Sequence, residues 1–274
     1  MAKNELAVID NFELSTNTDI MEALIEELGE DAKIPYDRVK IPSGGTTAFE
    51  VPSDDPDNPD IEKEIEGIIV YAQKINAYWK DAYSGDNTSP DCSSNDGKVG
   101  VEFETGEIHK CVDCPFNEFK SGPNGVGKAC KNMRRLYIIR TGCTLPIVLT
   151  LPPTSLRAYE DYVGRQIVTK GLRTHFVITK ISLKKAQSKD GITYSTAQFT
   201  KVGRVPDEMK PELTAYYNSM KTNVSSMAID DDDYDMPSNQ TSKNNQDNDN
   251  DDEFEDVDIE NGEIPNFEDV GSDA

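Results

Sequence analysis

Four cysteines carry the clearest chemical signal in the chain. They follow the spacing Cys92-x18-Cys111-x2-Cys114-x15-Cys130, and a fifth, Cys143, stands apart at a turn. Two thiolates two residues apart, as in Cys111-Val112-Asp113-Cys114-Pro115, can reach one tetrahedral ion while backbone amides support the sulfurs. Cys92 and Cys130 would complete a four-thiolate set, with His109 as the alternative to Cys92. Gly97, Gly100, Gly106, Gly122, Gly125 and Gly127 surround this knuckle. Glycine suits the tight turns of a small lobe that has little core of its own. The expected cofactor is a structural zinc, because four protein ligands leave no position for an activated water.

Other reactive groups are sparse. His109 and His175 are the two histidines of the 274 residues. Gly122-x4-Gly127-Lys128 superficially resembles a phosphate loop, but Ala129 stands where the Ser or Thr would be, and no strand precedes it. Without a nucleophile and base in one motif, the chain is not expected to be an enzyme. No apolar run approaches the roughly 20 residues of a membrane helix. The start, Met1-Ala2-Lys3-Asn4-Glu5, lacks the charged-then-apolar pattern of a secretion signal. A cytoplasmic protein with reduced thiols is expected.

The formal charge of −23 is unevenly divided. Residues 1–97 carry 22 acids and 7 bases, residues 98–204 carry 8 acids and 18 bases, and residues 230–274 carry 18 acids against Lys243 alone. A cationic middle on a folded domain favours polyanions, which the acidic ends repel. The tail begins at Asp230-Asp231-Asp232-Asp233 and is too polar to build a core, so 230–274 reads as a disordered acidic tail. Its last stretch spaces apolar residues, among them Ile264, Pro265 and Phe267, between carboxylates, a composition suited to docking into a partner's pocket.

The elements that must position these groups follow from periodicity. An acidic N-terminal segment, 1–60, holds one short helix over Ile20–Leu28, stopped by Gly29, and ends in a Pro- and Asp-rich linker. A strand-rich domain, 61–204, follows, with the zinc lobe inserted at about 90–132. Its strands are expected over 67–79, 134–140, 145–151, 175–183 and 194–202, with a helix opened by Pro152-Pro153 between the third and fourth and an Asp190-Gly191 hairpin turn. Residues 205–229 read as a linker or short helix. The fold class is mainly β with one or two helices. The order strand, strand, strand, helix, strand, strand is that of the oligonucleotide/oligosaccharide-binding (OB) fold, a five-stranded Greek-key barrel.

Basic and aromatic side chains interleave along these strands. The candidate nucleic-acid contacts are Lys74 and Tyr78 on the first strand and Lys128, Lys131, Arg134, Arg135, Tyr137 and Arg140 before and along the second. Lys180, Lys184, Lys185 and Lys201 lie on the last hairpin. Alternation places Lys74, Asn76 and Tyr78 on the more polar side of strand one, opposite Ile69, Tyr71 and Trp79. Outward aromatics beside cations form the stacking platform and phosphate-neutralising groove of single-strand binding.

These parts resemble the single-stranded DNA-binding proteins encoded by bacteriophages and mobile elements. The resemblance is carried by Cys111-Val112-Asp113-Cys114 with Lys128-Ala129-Cys130-Lys131, by Leu151-Pro152-Pro153-Thr154-Ser155-Leu156 after the third strand, and by the Asp/Asn tail. It covers about residues 60–274 by architecture. It implies a protein that coats and protects exposed strands in replication or recombination and recruits partner enzymes through its tail, in the bacterial host's cytoplasm if phage-encoded. Cellular members end in acids and a terminal Pro-Phe; here Ile264-Pro265-Asn266-Phe267 is followed by seven more residues. Two rival classes remain open. One is a zinc-containing protein-interaction adaptor acting on host replication or transcription machinery, and the other a nuclease-like or DNA-modifying enzyme.

Overall fold

The computed structural model describes residues 7–9, 12–14, 20–29, 34–55, 57–80, 89–188, 191–224 and 229. The expected tail contacts Ile264, Pro265 and Phe267 lie outside them. In chain order the first strands are β1 (Arg38–Val39), β2 (Phe49–Val51), β3 (Asp60–Glu62) and β4 (Glu64–Tyr78). Next come β5 (Cys92–Ser94), β6 (Val99–Glu102), β7 (Ile108–Lys110), β8 (Lys131–Ile139) and β9 (Ile147–Leu151), then β10 (Val177–Gln187) and β11 (Thr193–Arg204). The α-helices are α1 (Ile20–Leu28), α2 (Pro153–Asp161) and α3 (Lys210–Asn223). The described chain is thus mainly β with three helices and one large mixed sheet.

The long strand β4 organises that sheet. β8 runs antiparallel beside it from Ile68↔Ile139 to Ala77↔Lys131, and β9 lies antiparallel beyond β8. The start of β4 also pairs with β10, through Ile178↔Ile68 to Ser182↔Glu64, and β10 pairs with β11. The end of β4 pairs with β5, which leads out through β6 to β7.

The sheet is not closed into the expected five-stranded barrel. Closure would need β11 beside β9, but β1 takes that edge of β9 in parallel, with Arg38↔Val148 and Val39↔Leu149. The following segment runs on to β11, where Ser195 Oγ donates to the Thr46 carbonyl at 2.7 Å. Gly45, at φ 81°, lies so close to Thr193 that a Cβ there would overlap the Thr193 methyl. Val39, Ile41, Phe49 and Val51 are buried in the main core, so this N-terminal stretch packs with the strands that follow it.

Both faces of the central strands are covered, which explains their nearly unbroken apolar sequence. On one face Ile65, Ile69, Leu136, Ile138 and Leu149 meet Tyr159 of α2 and Tyr162 just beyond it. Pro153 at the first position of α2 needs no hydrogen-bond partner there. The helix continues as a wider turn over Tyr162–Ile167 and a tighter one over Val168–Lys170, and stops at Gly171 with φ 73°. The Tyr162 hydroxyl bonds Thr179 Oγ1 at 2.8 Å. On the other face Ile68, Val70, Tyr137, Ile139 and Val148 are covered by Leu213 and Met220 of α3 and Val224 beyond it.

A shift of register between Ile69 and Tyr71 breaks the alternation of β4. Ile69 consequently packs with Ala72 rather than on the side of Tyr71, as strict alternation predicted. Past the shift, Ala72, Lys74, Asn76 and Tyr78 share one face, and Tyr71, Gln73, Ile75 and Ala77 share the other.

Candidate functional site

The segment between β4 and β8 folds into a lobe around its thiols. β5 places Cys92 opposite Tyr78 in the ladder, and β6 and β7 bring Gly100 beneath the sulfurs. A Cβ at Gly100 would sit 3.0 Å from Cys92 Sγ and 3.7 Å from Cys111 Sγ, so a side chain there would press the Cys92 sulfur aside. Cys111 and Cys114 frame the knuckle, and the turn Pro115–Asn117 follows at once. Cys130 N donates to the Phe116 carbonyl at 2.8 Å, drawing the last cysteine back to the knuckle. Cys92, Cys111, Cys114 and Cys130 line one cavity, together with His109, Asn76, Tyr78 and Asn117. Burial, then the neighbouring sulfurs, push the Cys92 thiol up to about 11 and the Cys130 thiol up to about 12. Among the described residues no disulfide joins these cysteines, and Cys143 is exposed.

A second group of ligating atoms lies on the same lobe. Glu102, Glu107 and His109 bring one atom each within 4.8 Å of one another, a cluster able to hold a metal cation. His109 Nε2 is 3.3 Å from Glu102 Oε1. The sequence reading missed the two glutamates, although a signal was present. Phe103-Glu104-Thr105-Gly106 is a hairpin turn whose closure sets Glu102 beside Glu107, with Glu102 N donating to the Glu107 carbonyl at 2.9 Å. His109 lies two residues further along that strand, on the same face. The four sulfurs line their cavity without any three of them grouped so closely.

The lobe has almost no apolar interior. Among its described residues the buried apolar side chains are those of Pro90, Cys111 and Cys130. Val101, Phe103, Ile108, Val112, Phe119 and Val126 are instead exposed, Val112 to 83%. Gly100 faces the sulfurs, so Val99 and Val101 on either side of it point away from them.

Hydrogen bonds sew the lobe to the sheet. Lys128 Nζ donates to Asn132 Oδ1 at 2.9 Å and to Asn117 Oδ1 at 3.0 Å. Asn132 Nδ2 donates to Asn76 Oδ1 and Asn117 Oδ1, both at 3.0 Å, and Asn117 Nδ2 donates to the Cys111 carbonyl at 2.7 Å. The rings of Tyr78 and Phe116 stack across the same seam, 4.3 Å apart and 14° from parallel. Phe116, absent from the expected contacts, follows the Cys114-Pro115 dipeptide that would have flagged it.

The structure divides the expected nucleic-acid residues into groups. Lys74 and Arg134 are cross-strand partners, and Lys74, Tyr78 and Arg134 share the face beside Lys128. Lys74 is exposed, and the Arg134 guanidinium lies 5.3 Å from the centre of the Tyr159 ring, with its Nε closed from solvent and without a hydrogen bond. Arg135, Tyr137 and Lys131 alternate onto the opposite face. Arg135 and Tyr137 are fully buried beneath the layer that carries α3, and Tyr137 Oη donates to Gln73 Oε1 at 3.0 Å. Lys131 is half-buried, and burial holds its ammonium below the usual lysine range. Glu62 takes both ends of the Arg140 guanidinium, at 2.8 and 2.9 Å. Lys180 is 3.2 Å from Glu64, and Lys201 Nζ donates to the Gln166 carbonyl at 3.4 Å. Lys184 and Lys185 are exposed near the end of β10, away from the Lys74 strip.

His175 is buried and stacks on Tyr217, ring centres 4.9 Å apart. No helix among the described residues is long and apolar enough to cross a membrane. Comparison with family models, curated proteins and solved structures finds no match.

Proposed function

We propose that the protein binds single-stranded DNA without catalysis, coating exposed strands during replication or recombination. The observation that carries this reading is the strip of Lys74, Asn76 and Tyr78 on β4 beside Arg134 and Asn132 on β8, where cations, amides and an aromatic pair share one sheet face. The exposed Lys74 there neutralises phosphate, the bonded amides hold the face rigid, and a ring stacks bases without regard to sequence. The strand pairings support an OB-like ancestry. β4, β8, β9, β10 and β11 pair first with second, second with third, first with fourth and fourth with fifth, and α2 intervenes between third and fourth. An OB fold is a partly open barrel in any case.

The donor chemistry of the four thiols fits a structural zinc. An all-thiolate donor set selects a soft or borderline cation, and Zn–S bonds of about 2.3 Å hold sulfurs about 3.8 Å apart. Such an ion would tie together a lobe that lacks an apolar interior of its own. His109 on the cavity wall remains the alternative to Cys92.

The acidic segment 230–274 recruits replication or recombination proteins in this reading and competes with DNA for the cationic strip through its charge. Titration of the full chain with labelled oligo-dT at two salt concentrations tests the reading: tight binding weakened by salt is expected, and no binding in dilute buffer sinks it. A second reading, the zinc-containing interaction adaptor, is favoured by the exposed Val101, Phe103 and Ile108 of the lobe. An apolar surface of this kind is common where proteins dock. An adaptor would ignore oligo-dT yet retain a host protein.

A further inference from the structure

We infer that the ring of Phe116 is a stacking site for one unpaired nucleobase, held in position by the thiol lobe. The inference rests on the single-strand reading above and adds to it a contact on the lobe rather than on the strands. Tyr78 covers one face of the Phe116 ring in a near-parallel stack at 4.3 Å, yet Phe116 remains 44% exposed. A planar apolar surface of this size, already half of a stack, accepts a base as its next layer.

Three features separate this ring from an incidental exposed phenylalanine. First, its surroundings are polar and cationic: Asn117, Asn132 and Lys128 form a bonded network at its foot, and Lys74 lies on the same strand face as Tyr78. The aliphatic side chains Val99 and Val101 point to the other side of the lobe. A base carries a π face and a hydrogen-bonding edge and has a phosphate beside it, so it matches this combination better than an aliphatic side chain does.

Second, the ring is fixed from several directions. The Phe116 carbonyl accepts from Cys130 N at 2.8 Å and from Ser121 Oγ at 2.8 Å, and Tyr78 is registered against Cys92. A ring held in this way loses little freedom when a base arrives, so more of the stacking energy appears as affinity. Third, an exposed cation lies near the ring's partner. From Lys74 to Tyr78 is about 13 Å along an extended strand, and Tyr78 stacks on Phe116. A strand with one base stacked on Phe116 can therefore bring a neighbouring phosphate to the exposed Lys74.

The experiment uses the full chain. A dT oligomer carrying one 5-iododeoxyuridine is irradiated in complex with the wild type, and the adduct is mapped by mass spectrometry. In parallel, fluorescence anisotropy gives the oligo-dT affinity of Phe116→Leu and Phe116→Trp, with melting temperature and metal content measured on each. Adducts on Phe116, about 5- to 100-fold weaker binding by Phe116→Leu, and retention by Phe116→Trp are expected. Failure of the wild type to bind oligo-dT would overturn the single-strand reading itself. If the wild type binds but its adducts map elsewhere, the stacking site is overturned and the single-strand reading stands. Binding by a folded, metal-equal Phe116→Leu within twofold of wild type has the same meaning.

Discussion

Replacing Cys111 with serine separates the two halves of this architecture. The lobe between Cys92 and Cys130 buries no large aliphatic side chain, whereas the sheet has its own apolar clusters on both faces. Structural zinc contributes on the order of 10–16 kcal/mol to small thiol-ligated folds, and the lobe has little else to draw on. Its ties to the rest of the chain include the hydrogen bonds Lys128 to Asn132, Asn132 to Asn117 and Gln73 to Asn95. At about 1 kcal/mol each, these three contribute roughly 3 kcal/mol of the coupling to the sheet, and the β4–β5 ladder and the Tyr78–Phe116 stack add to it. With the proposed thiol-bound zinc, Cys111→Ser should therefore lose the metal and the amide protection of residues 92–130 while keeping a cooperative melt of the remainder. Native mass spectrometry and hydrogen exchange read the two effects separately. A variant that keeps both the metal and the protection would refute the reasoning, as would a wild type that binds no zinc.

Four further outcomes follow from the packing and the charges. Leu213→Ala should destabilise the chain by about 2–5 kcal/mol in urea unfolding, because Leu213 is fully buried between α3 and the sheet; a loss below about 1 kcal/mol would mean that α3 does not pack there. Lys74→Glu should weaken oligo-dT binding at low salt and flatten the salt slope by about 0.7, with melting unchanged because the side chain is exposed; an unaltered slope would remove Lys74 from the contact. Deleting 230–274 should raise affinity at low salt, since that segment carries 18 acids and one base; equal affinity across a salt titration removes the competition. Burial, and then the Arg173 charge, hold His175 below its ordinary value. The unfolded chain therefore takes up that proton first as pH falls below about 6.5, and stability declines there. His175→Gln should flatten this decline in denaturation between pH 5 and 7, and an unchanged profile assigns the effect to other groups.

Much of the strand framework was legible because its signals are local. Branched and aromatic residues marked β4, β8, β9, β10 and β11, Pro152-Pro153 marked the start of α2, and Gly29 marked the end of α1. What escaped depended on contacts remote in sequence. β1 pairs with β9 across more than a hundred residues, a two-residue strand too short to show periodicity, and it occupies the edge that barrel closure needs. The register shift after Ile69 reassigns which β4 residues share a face, and no residue type announces it. Arg135 and Tyr137 read as an outward cation and aromatic because the covering helix lay in a stretch taken for a linker or short helix. Leu213, Tyr217, Met220 and Val224 nevertheless recur at helical spacing there. On the lobe, cysteine spacing brought four thiols to one cavity, while the Glu102, Glu107 and His109 group depended on a hairpin turn the sequence reading did not place.

The central claim is that the β4–β8 face with its attached lobe grips unpaired DNA. Fluorescence anisotropy of labelled oligo-dT with the full chain, at about 50 and 200 mM salt and beside a duplex of equal length, tests it most directly. The account predicts saturable binding that prefers the single strand and weakens as salt rises. No rise in anisotropy of the oligomer in dilute buffer, with or without residues 230–274, would contradict it.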